Sequence, residues 1–178
     1  MKIIELRGRG LIVSEVSDPE SWFDAVPDFP REKRRLEWML SRIAERELRK
    51  RGARGDYVSY SHSGKYGAAA IDAQPVGIDV EMLRSISESA ARHFLNDDEI
   101  AAMERCTIAN RMLHFWSAKE AVWKQRGGVV PTLKRLQIQL EREDADGLRF
   151  DGVETFALGE LVAALTCGGG LQPASGTG

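Results

Sequence analysis

Cysteine and long apolar runs are scarce in this chain of 178 residues. The two cysteines, Cys106 and Cys167, lie far apart and match no zinc-binding spacing, which argues against a disulfide framework or a zinc module. No stretch reaches the roughly 18 consecutive apolar residues that a membrane helix needs. We find no secretory signal after Met1, and we therefore expect reduced thiols and a cytoplasmic protein.

A strong excess of charge is also missing. The chain has 25 Lys and Arg residues against 27 Asp and Glu residues, a formal net charge of −2. This balance predicts neither a nucleic-acid partner nor a membrane partner. With 43% hydrophobic and 29% charged residues, the composition is typical of a soluble globular protein. The charge is uneven locally, since residues 31–54 are basic and residues 79–104 lean acidic.

The acidic region begins with an unusual stretch, residues 76–81. Its apolar and polar side chains alternate, as they do in a half-buried strand, so Asp79 and Glu81 would project side by side from one face. Two neighbouring carboxylates repel each other, and each raises the pKa of the other. A hard divalent cation such as Mg²⁺ would resolve this conflict. The alternative is a solvent-facing acidic strand edge, and these two residues alone favour neither interpretation.

Short strands alternate with long helices without a regular βαβ order, which predicts an α+β fold. The predicted helices span residues 31–51, 87–94, 96–106 and 108–126. The predicted strands span residues 3–6, 11–16, 57–60, 66–71, 76–81, 133–140, 153–158 and 161–166, and the three strands between residues 57 and 81 are predicted to form a meander. A proline-rich loop at residues 18–30 and a disordered glycine-rich end at residues 168–178 complete the prediction.

The helix at residues 31–51 has the clearest pattern. Its apolar stripe at helical spacing contains Leu36, Met39, Leu40, Ile43 and Leu48. The other faces are rich in arginine and lysine, which indicates either a solvated surface paired with glutamates or an anion site that uses one or two of these residues. Similarly, Glu120 and Lys124 stand four residues apart on the last predicted helix, where they could form an ordinary surface ion pair.

Three blocks occur in a fixed order. They are the segments SYSHSG at residues 59–64, VGIDVE at residues 76–81 and FWSAKEAVWK at residues 115–124. Together they resemble the 4'-phosphopantetheinyl transferase superfamily, specifically its surfactin-synthetase-activating type in a short variant. The similarity covers roughly residues 31–140 and fades at both ends. The chain is shorter than the two-lobed members of this family, mostly before residue 31. The resemblance therefore does not extend to the family elements that help to bind adenine.

This resemblance implies a function. The family transfers the phosphopantetheine arm of coenzyme A to a serine hydroxyl of an acyl or peptidyl carrier protein and releases adenosine 3',5'-bisphosphate. It implies that Asp79, Glu81 and Glu120 bind Mg²⁺, that Glu120 or a water held by the acidic cluster acts as the base, and that Lys124 neutralises or protonates the departing phosphate. Asp79, Glu120 and Lys124 are thus the expected catalytic residues.

The resemblance also implies a coenzyme site and a domain layout. The expected coenzyme A-binding residues are Ser61, His62, Arg35, Lys119 and Lys124, with Arg31 or Arg34 as substitutes for Arg35. Two similar α+β subdomains would be related by a pseudo-twofold axis, the first at residues 1–72 and the second at residues 73–170, with a flexible tail at residues 171–178. Such a layout contains both halves of the site, so we expect a monomer.

Two other functions compete with the transferase. One is a non-catalytic module that retains the fold and binds carrier proteins or coenzyme A. The other is an unrelated metal-dependent phosphohydrolase, since clustered carboxylates serve that chemistry as well. The phosphohydrolase leaves the block at residues 59–64 without a role.

Overall fold

Two antiparallel sheets form the centre of the computed structural model, which describes residues 1–167. The first sheet has the order β1-β2-β4-β3 and consists of β1 (Lys2–Leu6), β2 (Gly10–Ser14), β3 (Tyr57–Ser63) and β4 (Tyr66–Asp72). The second has the order β5-β9-β8-β7-β6 and consists of β5 (Ile78–Met82), β6 (Leu140–Asp144), β7 (Gly147–Phe150), β8 (Val153–Leu158) and β9 (Leu161–Thr166). Residues 168–178, where we predicted disorder, lie outside the described part.

Four helices accompany the sheets. They are α1 (Glu32–Lys50), α2 (Glu88–Phe94), α3 (Asp97–Arg105) and α4 (Arg111–Gln125). The polar residues that precede α2 and α3 explain where those helices start: Ser87 accepts a hydrogen bond from the Ala90 amide, and Asn96 forms a reciprocal capping box with Glu99. The predicted helices are confirmed to within a few residues at their ends, and so is the α+β class.

The layers follow the order helix, sheet, sheet, helix. Helix α1 covers the outer face of the first sheet, and α4 covers that of the second. The inner faces of the two sheets meet in a third apolar cluster that includes Ile12 from β2 and Ile78 from β5. The contact of α1 with the first sheet therefore buries one apolar stripe, which is the arrangement that the amphipathic pattern of this helix predicts.

Glycines allow both helices to approach the sheets closely. A Cβ atom at Gly67 on β4 would lie 2.3 Å from the Leu40 carbonyl carbon of α1. One at Gly77, just before β5, would lie 1.8 Å from the Ala121 carbonyl oxygen of α4. Distances this short exclude a side chain, so both positions need glycine for steric reasons. The close approach at Gly77 sets α4 directly over the acidic strand.

Three sequence predictions are wrong in detail. Strand β5 does not continue the β3–β4 hairpin but pairs with β9 in the second sheet, so the three-stranded meander is absent. Residues 133–140 do not form a strand: Leu133–Arg135 is a 3₁₀ turn, and β6 starts only at Leu140. Leu36 lies at the rim of the α1 stripe and is 36% exposed, because the sheet contact begins further along the helix.

Two further points concern the layout. None of the helices in residues 1–167 is both long and apolar enough to span a bilayer. The first sheet is built from residues 2–72 and the second from residues 78–166. The division into subdomains at residue 72 and their pseudo-twofold relation remain predictions.

Candidate active site

Strands β3 and β5 lie side by side at the edges of their sheets, and serine side chains connect them. The β3 serines recur at every second residue, so their hydroxyls share one side of the strand. In each case the hydroxyl oxygen accepts a hydrogen bond from a β5 amide: Ser59 from Ile78 (3.1 Å), Ser61 from Val80 (3.2 Å) and Ser63 from Met82 (3.0 Å). This serine ladder holds the acidic strand against the SYSHSG block.

Asp79 lies at the centre of the site. It is 4% exposed, and its Oδ1 atom lies 2.7 Å from the Lys124 ammonium and accepts a hydrogen bond from the Ser61 hydroxyl at 2.9 Å. Its second oxygen, Oδ2, is buried and has no hydrogen-bond partner among the described residues. An unpartnered carboxylate oxygen costs desolvation free energy, which a bound cation would offset.

Lys124 reaches Asp79 from the last turn of α4. Its Nζ atom also donates to the Ser61 hydroxyl at 3.0 Å and to the Ile78 carbonyl at 3.1 Å. The lysine is therefore surrounded by oxygen atoms from β3 and β5, although 21% of its side chain remains exposed. The predicted proximity of Lys124 to the acidic strand is thus present, but as an ion pair with Asp79.

Glu81 lies two residues further along β5, on the same side as Asp79. One of its oxygens accepts a hydrogen bond from the Trp116 indole N–H at 2.8 Å, and the other accepts one from the Ser63 hydroxyl at 3.3 Å. Arg84 lies 3.4 Å away, which adds a positive charge. These contacts orient the carboxylate towards α4.

Glu120 is half-buried on α4, above the same strand. Burial raises the pKa of its carboxyl group, the charges of Asp79 and Glu81 raise it further, and Lys124 opposes them. The carboxylates of Asp79 and Glu81 therefore act electrostatically on that of Glu120. Within residues 1–167, however, no three acidic, histidine or cysteine side chains lie close enough together to form a ready-made metal site.

Two features of the site suit Mg²⁺. The donors have the right chemistry, because hard cations take carboxylate oxygens. Asp79 Oδ2 lacks a partner among the described residues, and the pKa of Glu120 is raised by burial first and then by the negative charges of Asp79 and Glu81, which an ion would compensate. The carboxylates thus fit a divalent cation, provided that Lys124 makes room for it.

Lys119 does not join this cluster. Its side chain is fully buried, and its Nζ atom lies 2.6 Å from Glu99 Oε2 and 3.1 Å from the Leu133 carbonyl oxygen. Burial lowers the pKa of this lysine, whereas Glu99 opposes that shift. Lys119 and Glu120 point to different sides of α4. The Lys119 ammonium therefore lies in the protein interior, beside Glu99 of α3.

The other two expected coenzyme contacts lie on the α1 side. His62 alternates with Ser61 along β3, so it points away from Asp79; it is half-exposed, with Nδ1 3.6 Å from Glu37 of α1. Arg35 pairs with Glu20 at 2.8 Å. The structure therefore brings Ser61, but neither His62 nor Arg35, into contact with the acidic cluster.

Sequence reasoning missed the roles of Ser59, Ser63 and Trp116. The period-two spacing of the serines was a usable signal, since hydroxyls on one side of an edge strand can accept hydrogen bonds from a neighbouring strand. What the pattern could not reveal is that this neighbour is β5. Trp116 lies four residues before Glu120, and its spacing already placed it on the same side of the helix.

Comparison with known proteins identifies the family of this chain. The model of the 4'-phosphopantetheinyl transferase superfamily matches residues 75–165. The chain is 32% identical over 91 residues to the 4'-phosphopantetheinyl transferase Sfp of Bacillus subtilis (strain 168), a match that covers 49% of this chain and 41% of that protein. It is 28% identical over 121 residues to the 4'-phosphopantetheinyl transferase psf-1 of Bacillus pumilus, covering 62% of this chain and 52% of that protein.

The matches thus span only about half the length of these curated relatives. The family match nevertheless contains β5, α4 and β9, which are the elements that place Asp79, Glu81, Glu120 and Lys124. Because the match extends over half of the chain, the protein belongs to the 4'-phosphopantetheinyl transferase superfamily.

Proposed function

We propose that this protein transfers the 4'-phosphopantetheine arm of coenzyme A to a serine hydroxyl of an acyl or peptidyl carrier protein, with Mg²⁺, and releases adenosine 3',5'-bisphosphate. The observation that carries the proposal is the cluster of Asp79, Glu81, Glu120 and Lys124 on two elements of the matched region. We place this activity in the cytoplasm and assign it to a monomer.

In this proposal, Asp79, Glu81 and Glu120 hold Mg²⁺ at the coenzyme pyrophosphate. The ion supplies screening of the phosphate charge, which otherwise repels a nucleophile. Trp116 and Ser63 support the proposal, because their hydrogen bonds fix the Glu81 carboxylate before any ligand is bound.

Glu120 is the proposed base that takes the proton from the carrier serine. Its position on α4, half-buried above the strand that carries Asp79 and Glu81, supports this role, since a general base must lie within reach of the proton that it takes. Lys124, one turn further along α4, carries the positive charge that neutralises the departing phosphate oxygen.

The coenzyme contacts are more widely spread. We propose that His62, half-exposed on β3, contacts the 3'-phosphate. Arg35 can assist only if it releases Glu20, with which it now pairs. Lys119 is left out of this set, because its buried ion pair with Glu99 keeps its ammonium away from any solvent-borne ligand.

The test is a mass-spectrometric transfer assay with a panel of carrier proteins, coenzyme A and Mg²⁺. A carrier adduct of the phosphopantetheine mass is expected, and chelation by EDTA should abolish it. Asp79→Asn should remove transfer while the far-UV circular dichroism spectrum is retained. Asp98→Asn is the matched control, because Asp98 is an exposed carboxylate at the start of α3, outside the cluster.

The competing binding module gives a different result in the same experiment. Coenzyme A would then bind in a titration, but no carrier in the panel would gain mass. Undiminished transfer by Asp79→Asn would instead refute the metal assignment.

A further inference from the structure

The ammonium group of Lys124 already lies among oxygen atoms that suit a cation. Three oxygens from two strands surround Nζ: Asp79 Oδ1 at 2.7 Å, Ser61 Oγ at 3.0 Å and the Ile78 carbonyl at 3.1 Å. Carboxylate, hydroxyl and carbonyl oxygens also occur as ligands of hard divalent ions. The pocket that a metal ion would use near Asp79 is therefore filled by a side chain of the protein itself.

This arrangement closes the carboxylate to other ligands. Asp79 is 4% exposed, and its unpartnered oxygen is buried as well. An ion could reach Asp79 only after Lys124 has moved. Movement is feasible, because the lysine stem is flexible and 21% of the side chain already faces solvent.

We propose that Lys124 is a displaceable stand-in for the divalent cation: its ammonium holds Asp79 in the metal-free protein and leaves it when the ion is bound. The identity of the ion, Mg²⁺, rests on the proposed function. Asp79 thus has a positive charge beside it both before and after the exchange, which matters because an unpaired buried carboxylate is costly. It also frees the lysine for phosphate oxygens only once the site is loaded.

Lysine acetylation measures the release directly. The protein is treated with a small amount of acetyl N-hydroxysuccinimide ester, in EDTA or in saturating Mn²⁺ and without coenzyme A. The label on each lysine is then quantified by peptide mass spectrometry. Lys33, with 78% of its side chain exposed, serves as the internal reference. We expect Lys124 to react slowly without metal and several-fold faster with it, relative to Lys33. An unchanged or lower relative rate would overturn the proposal.

A binding titration separates displacement from a general charge effect. Lys124→Met keeps most of the stem but removes the ammonium, and we expect it to bind Mn²⁺ about tenfold more tightly than the wild type, by electron paramagnetic resonance of the free ion. Arg84→Gln is the control, since it removes a positive charge beside Glu81 without touching Asp79. An equal gain in both variants, or no binding to either, would contradict the proposal.

These outcomes are independent of catalysis. If transfer requires Mg²⁺ but the labelling rate of Lys124 does not change with metal, the displacement of Lys124 is refuted and the proposed function stands. If labelling responds to the metal but no carrier is modified, the stand-in is correct and the proposed function fails.

Discussion

Helix α4 carries two lysines five residues apart, and both pair with a carboxylate at almost the same distance. Lys119 lies 2.6 Å from Glu99, and Lys124 lies 2.7 Å from Asp79. The difference is in what surrounds them. The side chain of Lys119 is 0% exposed, whereas that of Lys124 is 21% exposed.

The two carboxylates differ even more than the lysines. Both oxygens of Glu99 are engaged, because Oε1 accepts from the Ile138 amide at 3.0 Å and Oε2 accepts from the Asn96 amide at 2.9 Å. Asp79 instead keeps one buried oxygen without a partner. A carboxylate with both oxygens satisfied fastens α3, α4 and the segment before β6 together. A carboxylate with an unused oxygen retains the capacity to bind something else.

The largest effect on stability is expected from Lys119→Met. It leaves Glu99 buried without its cation, and we expect a loss of about 3 to 5 kcal/mol in the free energy of unfolding, measured with urea. The double variant Lys119→Met/Glu99→Gln should lose less than the sum of the single changes, since it removes both charges. A loss below about 1 kcal/mol for Lys119→Met alone would contradict a structural role for the Lys119–Glu99 pair.

His114 is a third buried ionisable residue on α4, and its protonation makes the free energy of unfolding depend on pH. Thr155 Oγ1 donates to the Leu148 carbonyl, so it must accept the proton of His114 Nδ1 at 2.8 Å. Burial lowers the pKa of His114 to about 4, from 6.5. Below pH 6.5, His114 binds a proton in the unfolded chain but not in the folded chain. The free energy of unfolding should therefore fall by about 3 kcal/mol between pH 6.5 and pH 4.

The measurement is urea unfolding of the wild type and of His114→Leu across that range. The variant should lose this part of the pH dependence, whatever its stability at pH 7. An equal slope in both proteins would show that other groups cause it.

Gly77→Ala would disturb the Lys124–Asp79 pair more than the Lys119–Glu99 pair. Its Cβ would lie 1.8 Å from the Ala121 carbonyl oxygen, so α4 must move away from β5 and carry Lys124 from Asp79. We expect a loss of about 2 kcal/mol by thermal or urea unfolding, because overpacking strains a close contact. Transfer activity should fall as well. Unchanged stability and transfer would mean that the close approach is unnecessary.

The smallest effect is expected from Lys124→Met in the metal-free protein. Because 21% of the Lys124 side chain is exposed, water can take the place of the ammonium beside Asp79, and the Ser61 hydrogen bond to the carboxylate remains. We therefore expect a loss of about 1 kcal/mol in urea unfolding. A loss as large as that of Lys119→Met would erase the distinction between the two pairs.

Local pattern predicted the parts of the site but not their assembly. Alternation at residues 76–81 correctly gave a strand with Asp79 and Glu81 on one side, and helical spacing placed Glu120 and Lys124 together. The partner of that strand is β9, more than 80 residues later in the chain, and alternation contains no information about such a distant partner. The predicted meander is therefore wrong, although the same alternation placed Asp79 and Glu81 correctly on one side of a strand.

Residues 133–140 show a second limit. Leu136 and Ile138 are buried at alternate positions, as the predicted strand requires, but the segment at residues 136–139, between the 3₁₀ turn and β6, has no partner strand. It runs extended over the core, and the Ile138 amide bonds to the Glu99 side chain instead. Alternation thus records which residues are buried in an extended segment and does not establish a sheet hydrogen-bond ladder.

The serine ladder also affects how the protein meets other chains. A strand at the edge of a sheet invites an extra strand from another molecule, and β3 and β5 are both edge strands of their sheets. Ser59, Ser61 and Ser63 occupy the β5 amides that would otherwise be free for such pairing. The joint that forms the site therefore protects the β5 edge from edge-to-edge pairing, and a fragment that began at β5, without the β3 serines, would lose that protection.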